Sequence, residues 1–352
     1  MSPPFPLQSP PKKICILRLS ALGDVTHVIP LIRRIQRQWP ACEITWVCGT
    51  IEYKFLKIIE GVRFILFNKK VGYKEYLKLK KQLQNEHFDI LLHMQVAARS
   101  NFASLCIKAN VRLGWDRARS RDLHHLFVNH TVVATTRQHQ QDGFLSFGDK
   151  LGLDQSTTDW LLPVTKNAEH FVETQVTDTR PLLVISACSS HKLRNWNAEG
   201  YAAVADYAID THAMQVVLSG GPSPVEKQMS DAIIANMKNR ALNLVGADTL
   251  EQLVGLLDRA RIVLSPDSGP GHIANAVGTT VVGLYACTSS KRSGPYHSLP
   301  FCVDKYEEAA KIYKGKSASE LAWGTKIELP GVMDMITVEE VCEKLDNALQ
   351  RT

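Results

Sequence analysis

No CxxC pair occurs among the eight cysteines, which stand alone at Cys15, Cys42, Cys48, Cys106, Cys188, Cys287, Cys302 and Cys342. The ligand spacing of a structural zinc site is therefore missing. Several thiols lie inside apolar strand patterns, Cys15 in ICILRL and Cys48 in EITWVC, as buried reduced thiols of a cytosolic protein do. No segment reaches the ~18 consecutive apolar residues of a membrane span. The opening MSPPFPLQSPP has no apolar core of a secretory signal; its prolines and lack of pattern predict a flexible tail over residues 1–11. No GxGxxG is present, so a dinucleotide reading loses its main support. No DxD is present either, which removes the obvious carboxylate clamp for a metal-bound diphosphate.

What the sequence does contain is the composition of a globular protein of two ordinary domains, with 352 residues, 45% hydrophobic and 22% charged. The formal net charge of +6 is unevenly spread. Residues 1–165 hold 23 Lys and Arg against 13 Asp and Glu, while residues 166–352 hold 18 against 22. A basic front half points to an anionic partner, whether nucleic acid, membrane surface or acidic substrate. The basic run Lys74–Lys81 (KEYLKLKK) has helical spacing and reads as a solvated helix face, with Tyr76, Leu77 and Leu79 available for packing.

Short apolar runs alternate with helical stretches twice over. ICILRL (14–19), EITWVC (43–48), RFILF (63–67) and FDILLHM (88–94) read as strands, with helices over 25–38 and near 52–59 and 72–86. Residues 112–140 are rich in Arg and His and break the rhythm. A polar stretch near 155–180 reads as the boundary between a domain over 12–165 and one over 166–335. The alternation then resumes with LLVISA (182–187), MQVVLS (214–219), LNLV (242–245), RIVLS (261–265) and TVVGLY (280–285). Residues 286–335 read as an elaborated loop region with one short helix, and 336–352 as a terminal helix able to close either domain. Runs alternating with helices predict parallel sheets covered on both faces. The fold class is therefore α/β, with two facing Rossmann-like domains whose ligands bind beyond the carboxyl ends of the strands.

Four strand–helix junctions carry polar groups suited to chemistry. Ser20-Ala21-Leu22-Gly23-Asp24 follows the first strand; an ordinary turn with an Asp cap explains it equally well. Ser265-Pro266-Asp267-Ser268-Gly269-Pro270-Gly271-His272 leads from a strand into a helix, whose N-terminal N–H groups suit a diphosphate. An ordinary capped turn with a structural histidine is the alternative. His191-Lys192-Leu193-Arg194-Asn195-Trp196 puts cations after the first strand of the second domain, where an arginine can neutralise a departing diphosphate; a solvated basic loop anchored by Trp196 is the alternative. Ser219-Gly220-Gly221-Pro222 with Glu226 is weak by itself.

Together these segments resemble the bacterial lipopolysaccharide heptosyltransferases of glycosyltransferase family 9. The resemblance is carried by KICILRLSALGDVTHVIPLIRRIQRQWP, RNWNAEGYAAVA, VVLSGGP and RIVLSPDSGPGHIANAVGTTVVGLYACT, in order over residues 12–290. It implies the GT-B architecture and an inverting transfer of heptose from ADP-heptose. The tract after residue 286 is similar to the heptosyltransferase I type, which implies the Kdo of Kdo-lipid A as acceptor. It further implies Asp24 as general base, Arg194 facing the donor phosphates, and Asp267, Ser268, Gly269, His272, Glu226 and Ser189 as donor-binding residues. No metal and no cofactor are expected. The expected partners are a nucleotide-sugar donor, an anionic lipid-linked sugar acceptor and the inner face of the cytoplasmic membrane, with no nucleic acid. Arg117, Arg119 and Arg121 are the acceptor-side candidates, and Arg33, Arg34, Arg37, Lys69 and Lys70 are further cations for an anionic surface. A nucleotide-sugar 2-epimerase of the same architecture, a sugar-nucleotide binding module and a transferase with another acceptor are the competing readings.

Overall fold

A computed structural model describes residues 9–156 and 158–351. Of the tail expected over 1–11, residues 1–8 lie outside the described residues, and Pro11 is already buried. The chain divides into two compact units, Met1–Leu161 and Leu162–Thr352.

The first unit contains β1 (Lys13–Leu17), α1 (Leu22–Thr26), α2 (Ile29–Gln38), β2 (Glu43–Gly49), α3 (Thr50–Leu56), β3 (Val62–Phe67), α4 (Tyr73–Gln82), β4 (Phe88–His93), α5 (Ala98–Ser104), β5 (Ala109–Gly114), β6 (His130–Thr131) and α6 (Gln140–Leu151). Its six strands pair in parallel in the order β3-β2-β1-β4-β5-β6. Ile14, Cys15, Ile16 and Leu17 are all fully buried, although alternate residues point to opposite faces. A strand buried on both faces is read from sequence as a continuous apolar run, which is why β1 was legible. One core lies on the sheet face covered by α4 and α5, where Leu17, Val47, Phe67 and Leu91 pack against Leu79, Leu83, Ala103 and Ile107.

The second unit contains α7 (Lys166–Gln175), β7 (Leu182–Ile185), α8 (Ala198–His212), β8 (Gln215–Leu218), α9 (Pro224–Asn236), β9 (Leu242–Asn243), α10 (Leu250–Arg259), β10 (Ile262–Pro266), α11 (Gly269–Ala276), β11 (Thr280–Tyr285), α12 (Ser290–Ser293), β12 (Val303–Asp304), α13 (Tyr306–Lys314) and α14 (Val338–Arg351). Its strands repeat the same parallel arrangement, β12-β11-β10-β7-β8-β9. In both sheets the order reverses beside the first strand of the unit, the position at which doubly wound sheets bind ligands.

Two expectations need correction and two become definite. The helix expected over 25–38 is two helices. Pro30 has no N–H to donate to the Thr26 carbonyl four residues back, and that carbonyl instead accepts the Trp160 indole N–H at 2.9 Å. The boundary falls between Leu161 and Leu162, and the polar stretch after it holds α7. Thr165 caps it by accepting the Ala168 N–H, and Ala168 packs so closely on Gly255 of α10 that a Cβ there would lie 2.9 Å from it. Residues 286–335 are more than a loop, since they supply edge strand β12, paired with β11, and helices α12 and α13. Finally, α14 belongs to the second unit, where Val341, Leu345 and Ala348 join the core formed with Tyr201, Leu284 and Phe301.

Candidate functional site

Each unit places a cluster of charged side chains at its own switch point. In the first unit this is the turn after β1. Asp24 lies on α1, and its Oδ2 accepts the Ala21 N–H at 3.1 Å. The same oxygen is 2.5 Å from Nη2 of Arg18, whose side chain is only 12% exposed. Oδ1 accepts from the Gln140 side-chain amide at the start of α6. Arg18 is itself fixed, since Nη1 donates to the Met94 carbonyl at 2.8 Å and the guanidinium lies 5.1 Å over the Phe144 ring. Gln95 orders the turn from the other side. It accepts the Leu19 N–H at 2.6 Å and donates to Ser20 Oγ at 3.3 Å. Asp24 is thus an oriented carboxylate within a network, where the sequence pattern shows only a solitary one.

In the second unit the cluster joins the turns after β7 and β10. Asp267 follows β10 and accepts from Thr288 Oγ1 at 2.8 Å. His272 Nε2 is 3.8 Å from its Oδ1 and Arg194 Nη1 is 3.7 Å from its Oδ2. Burial pushes the Asp267 carboxyl up, but His272, Thr288 and Arg194 together outweigh this and hold it below the usual carboxylate range. Ser268 precedes α11 and its hydroxyl lies 2.7 Å from Ser265 Oγ. Gly269 and Gly271 flank Pro270 in the first turn of α11, where helical geometry leaves N–H groups without intrahelical acceptors. Gly269 carries no Cβ at the helix start, while Gly271 is buried and a Cβ on it would lie 3.5 Å from the Ser265 hydroxyl oxygen.

Arg194 does not stand as an unopposed cation. Its Nε donates to Glu328 Oε1 at 2.7 Å and its Nη2 lies 2.6 Å from the same oxygen. Burial raises the Glu328 carboxyl, but the bond and charge of Arg194 lower it further, so the net shift is downward. Glu328 comes from the tract expected as a loop. That tract is tied to the β7 turn because the Ile327 N–H bonds the Cys287 carbonyl at 2.9 Å and Cys287 Sγ bonds the Leu193 carbonyl at 3.0 Å. Lys192, in the same turn as Arg194, is exposed. Trp196 anchors the turn: it is buried, it donates to the Ile336 carbonyl at 3.1 Å, and it packs where a Cβ on Gly200 would lie 2.4 Å away.

Ser189 and Glu226 shape neighbouring loops. Ser189 donates to the His191 carbonyl at 2.9 Å, and its N–H bonds Asn195 at 2.8 Å. Glu226 folds back from the first turn of α9 to accept the Gly221 N–H at 2.8 Å and the Ser223 hydroxyl at 2.6 Å. It also lines a small pocket with Ala187, Cys188, Ser219, Met229 and Val245. Next to it is Asp248, which sequence reasoning did not single out. Burial lifts its carboxyl to about 6, against the pull of its own backbone N–H and of the Ser219 hydroxyl.

The arginine candidates of the first unit divide. Arg117 and Arg121 are exposed. Arg119 instead holds the fold together: it pairs with Asp116, donates to Gln138 at 2.9 Å and to the Val133 carbonyl at 2.8 Å, and stacks 4.9 Å over Trp115. With its guanidinium taken up in this way, the acceptor-side candidates that stand exposed are Arg117 and Arg121. Arg33, Arg34 and Arg37 are likewise struts, bonded to residues 158–161 and Asp149. Lys69 lies 3.6 Å from Glu52, and Lys70 is exposed.

Among the described residues no helix is long and apolar enough to cross a membrane, and no three His, Cys, Asp or Glu side chains are grouped to hold a metal ion. The family model for glycosyltransferase family 9 (heptosyltransferase) matches residues 76–322. The chain belongs to glycosyltransferase family 9. It is 40% identical over 331 residues to the Haemophilus influenzae lipopolysaccharide core heptosyltransferase OpsX, covering 94% of this chain and 95% of that one. Among solved structures, a family 9 glycosyltransferase from Veillonella parvula superposes with a TM-score of 0.78 at 20% identity, covering 97% of this chain and 98% of that one. E. coli heptosyltransferase WaaC with ADP gives 0.73 at 19%, covering 96% and 99%. The chain is therefore a glycosyltransferase with the fold of this family, and the epimerase reading falls away. The residues missed from sequence are Arg18, Gln140, Glu328 and Asp248. An arginine inside ICILRL was the one local signal available.

Proposed function

We propose that this enzyme transfers heptose from ADP-heptose to the Kdo of Kdo-lipid A, with inversion at the anomeric carbon. The 40% identity to OpsX over nearly the whole of both chains carries the heptose and core assignment. Asp24 takes the proton from the acceptor hydroxyl as its oxygen bonds the anomeric carbon. The bond from that carbon to the β-phosphate oxygen breaks, and its electron pair leaves with ADP. Arg18 and Gln140 act as positioning residues that hold the Asp24 carboxylate in place. The first-turn N–H groups of α11 and the exposed Lys192 oppose the charge developing on ADP. Arg194, with its charge offset by Glu328 and Asp267, serves as a fixed hydrogen-bond donor.

On this reading Asp267, Ser268, Gly269, His272, Glu226 and Ser189 form the donor side, and Arg117 and Arg121 meet the anionic acceptor. The enzyme works in the cytoplasm at the inner membrane, without metal or cofactor. The test is ADP release from ADP-heptose in EDTA, with and without Kdo-lipid A dispersed in detergent. Acceptor-dependent release with a heptosylated product is expected. Release that ignores the acceptor would refute the transfer, a strict need for divalent cation would refute the metal-free account, and transfer only to a core already bearing heptose would move the acceptor outward.

A further inference from the structure

Six large apolar side chains stand exposed on three adjoining elements of the first unit. They are Tyr73 and Leu77 on α4, Phe102 and Leu105 at α5, and Leu123 and Leu126 around the turn that follows β5. Their exposure runs from 56% for Phe102 to 70% for Tyr73. Scattered exposed apolar residues are ordinary, but these are arranged. Tyr73 and Leu77 are four apart and Phe102 and Leu105 three apart, so each pair shares one side of its helix. The opposite sides carry Leu79, Leu83, Ala103 and Ile107 in the core.

The elements touch. Tyr76 Oη donates to the Arg99 carbonyl at 3.4 Å and Cys106 Sγ to the Tyr76 carbonyl at 3.5 Å, joining α4 to α5. Asn101 donates to the Asp122 carbonyl at 2.7 Å, and the Phe102 and Phe127 rings lie 6.2 Å apart, joining α5 to the turn. Around these apolar groups the exposed charges are largely of one sign. Lys70, Lys74, Lys78, Lys80, Lys81, Arg99 and Arg121 are all exposed. The carboxylates of these elements are engaged locally: Glu75 is buried against the Asn68 N–H and Lys78, and Asp122 accepts the Ala98 N–H at 2.9 Å.

We infer that this face of α4, α5 and residues 123–126 is the surface by which the enzyme rests on an anionic lipid bilayer, a step that builds on the lipid-linked acceptor of the proposed function. Apolar groups ringed by cations are what an interfacial surface needs, apolar area for the acyl boundary and positive charge for the headgroups. The same charge argues against a second copy of the chain, because a two-fold contact would set this lysine-rich face against itself. The placement is consistent with delivery of acceptor, since the three elements follow the carboxyl ends of β3, β4 and β5, the side of the sheet on which the Asp24 turn also lies.

The test is co-sedimentation of the full chain with phosphatidylglycerol-containing vesicles and with pure phosphatidylcholine vesicles. Binding is expected to the anionic vesicles only, and to weaken as salt shortens screening from ~8 Å to ~3 Å. The Leu77→Ser, Phe102→Ser, Leu105→Ser triple variant should bind at least ~10-fold more weakly, since it removes many buried CH2 equivalents, while its turnover of detergent-dispersed acceptor stays unchanged. Independently, a Phe102→Trp variant should gain emission that brominated lipids quench. Wild-type binding by the triple variant, added emission in Phe102→Trp that brominated lipids leave unquenched, or a wild-type dimer that the triple variant abolishes would each overturn the surface. Turnover of dispersed acceptor without any vesicle binding would overturn the surface alone, whereas no turnover of dispersed acceptor would overturn the proposed function whatever the vesicles show.

Discussion

Replacing Asp24 by Asn keeps the size and shape of the side chain and removes one charge. Two consequences follow from its surroundings, and they are separable. As the base, the carboxylate contributes what a positioned proton acceptor typically does, ~10²- to 10⁴-fold, or about 3–5 kcal/mol of barrier at 1.36 kcal/mol per tenfold. As a structural group, it neutralises Arg18, whose guanidinium is largely enclosed and 2.5 Å away. The amide oxygen can still accept from Arg18, so the loss is that of the charge in a charge-assisted bond, about 1–2 kcal/mol. For a unit of this size that is a fall of roughly 2–8 °C in Tm. The assay is acceptor-dependent ADP release alongside calorimetry and ADP titration. The expectation is kcat reduced by at least ~10²-fold, a modest loss of Tm and unchanged ADP affinity. Arg18→Met supplies the control, because it lowers Tm through the same pair but leaves the carboxylate in place, and so should reduce kcat less. Near-normal kcat in Asp24→Asn, or an activity loss that merely tracks the melting of both variants, refutes Asp24 as the base.

The Asp248 carboxyl is raised to about 6 in the fold, so the native state binds more protons than the unfolded chain between its usual range near ~4 and pH 6, and stability falls as pH rises through that window. Asp248→Asn should therefore be neutral near pH 4 and stabilising above pH 7, by at most roughly 3 kcal/mol; urea midpoints at the two pH values check this, and equal shifts at both would refute it. Arg194→Ala should raise the donor KM more than Arg194→Lys, which keeps a charge but loses the planar fork that meets Glu328; steady-state kinetics in donor decide, and equal negligible effects would remove Arg194 from the donor side. Arg119→Ser should lower stability by about 1–3 kcal/mol with little change in acceptor KM, whereas Arg117→Ser with Arg121→Ser should raise acceptor KM and leave Tm alone; thermal melts and acceptor titrations separate the two.

The strands of both sheet centres were legible because burial on two faces leaves uninterrupted apolar runs, as in β1 and β10. β5, which lies between β4 and β6, was not. It carries Arg112, whose guanidinium is taken up by the carbonyls of Ser104, Ile107 and Phe127, a compensation that no local pattern reveals. α7 reads as polar since only one narrow side, with Ala168 and Val172, is buried. The site was half visible for the same reason. Turns rich in Ser, Gly and Asp mark the switch points, but the groups that complete them arrive from far along the chain: Gln140 is 116 residues from Asp24, and Glu328 is 134 from Arg194. Periodicity is a local signal, and these pairings are made by topology.

The break between α1 and α2 bears on the order in which the enzyme is made. The Thr26 carbonyl, freed by Pro30, is satisfied by Trp160, and the segment around that indole is strapped to α2 by Arg33, which bonds the Trp160 and Leu161 carbonyls, and by Arg37, which pairs with the Asp159 carboxylate. The helix bearing Asp24 therefore has its last hydrogen-bond partner more than a hundred residues downstream. On the ribosome, the carbonyl exposed at the break between α1 and α2 cannot find this partner until residue 160 has emerged. A fragment cut before residue 158 would carry every strand of the first sheet and the Arg18 and Gln140 contacts of Asp24, yet leave the Thr26 carbonyl without its indole donor, whereas one cut after residue 161 would carry its own clasp.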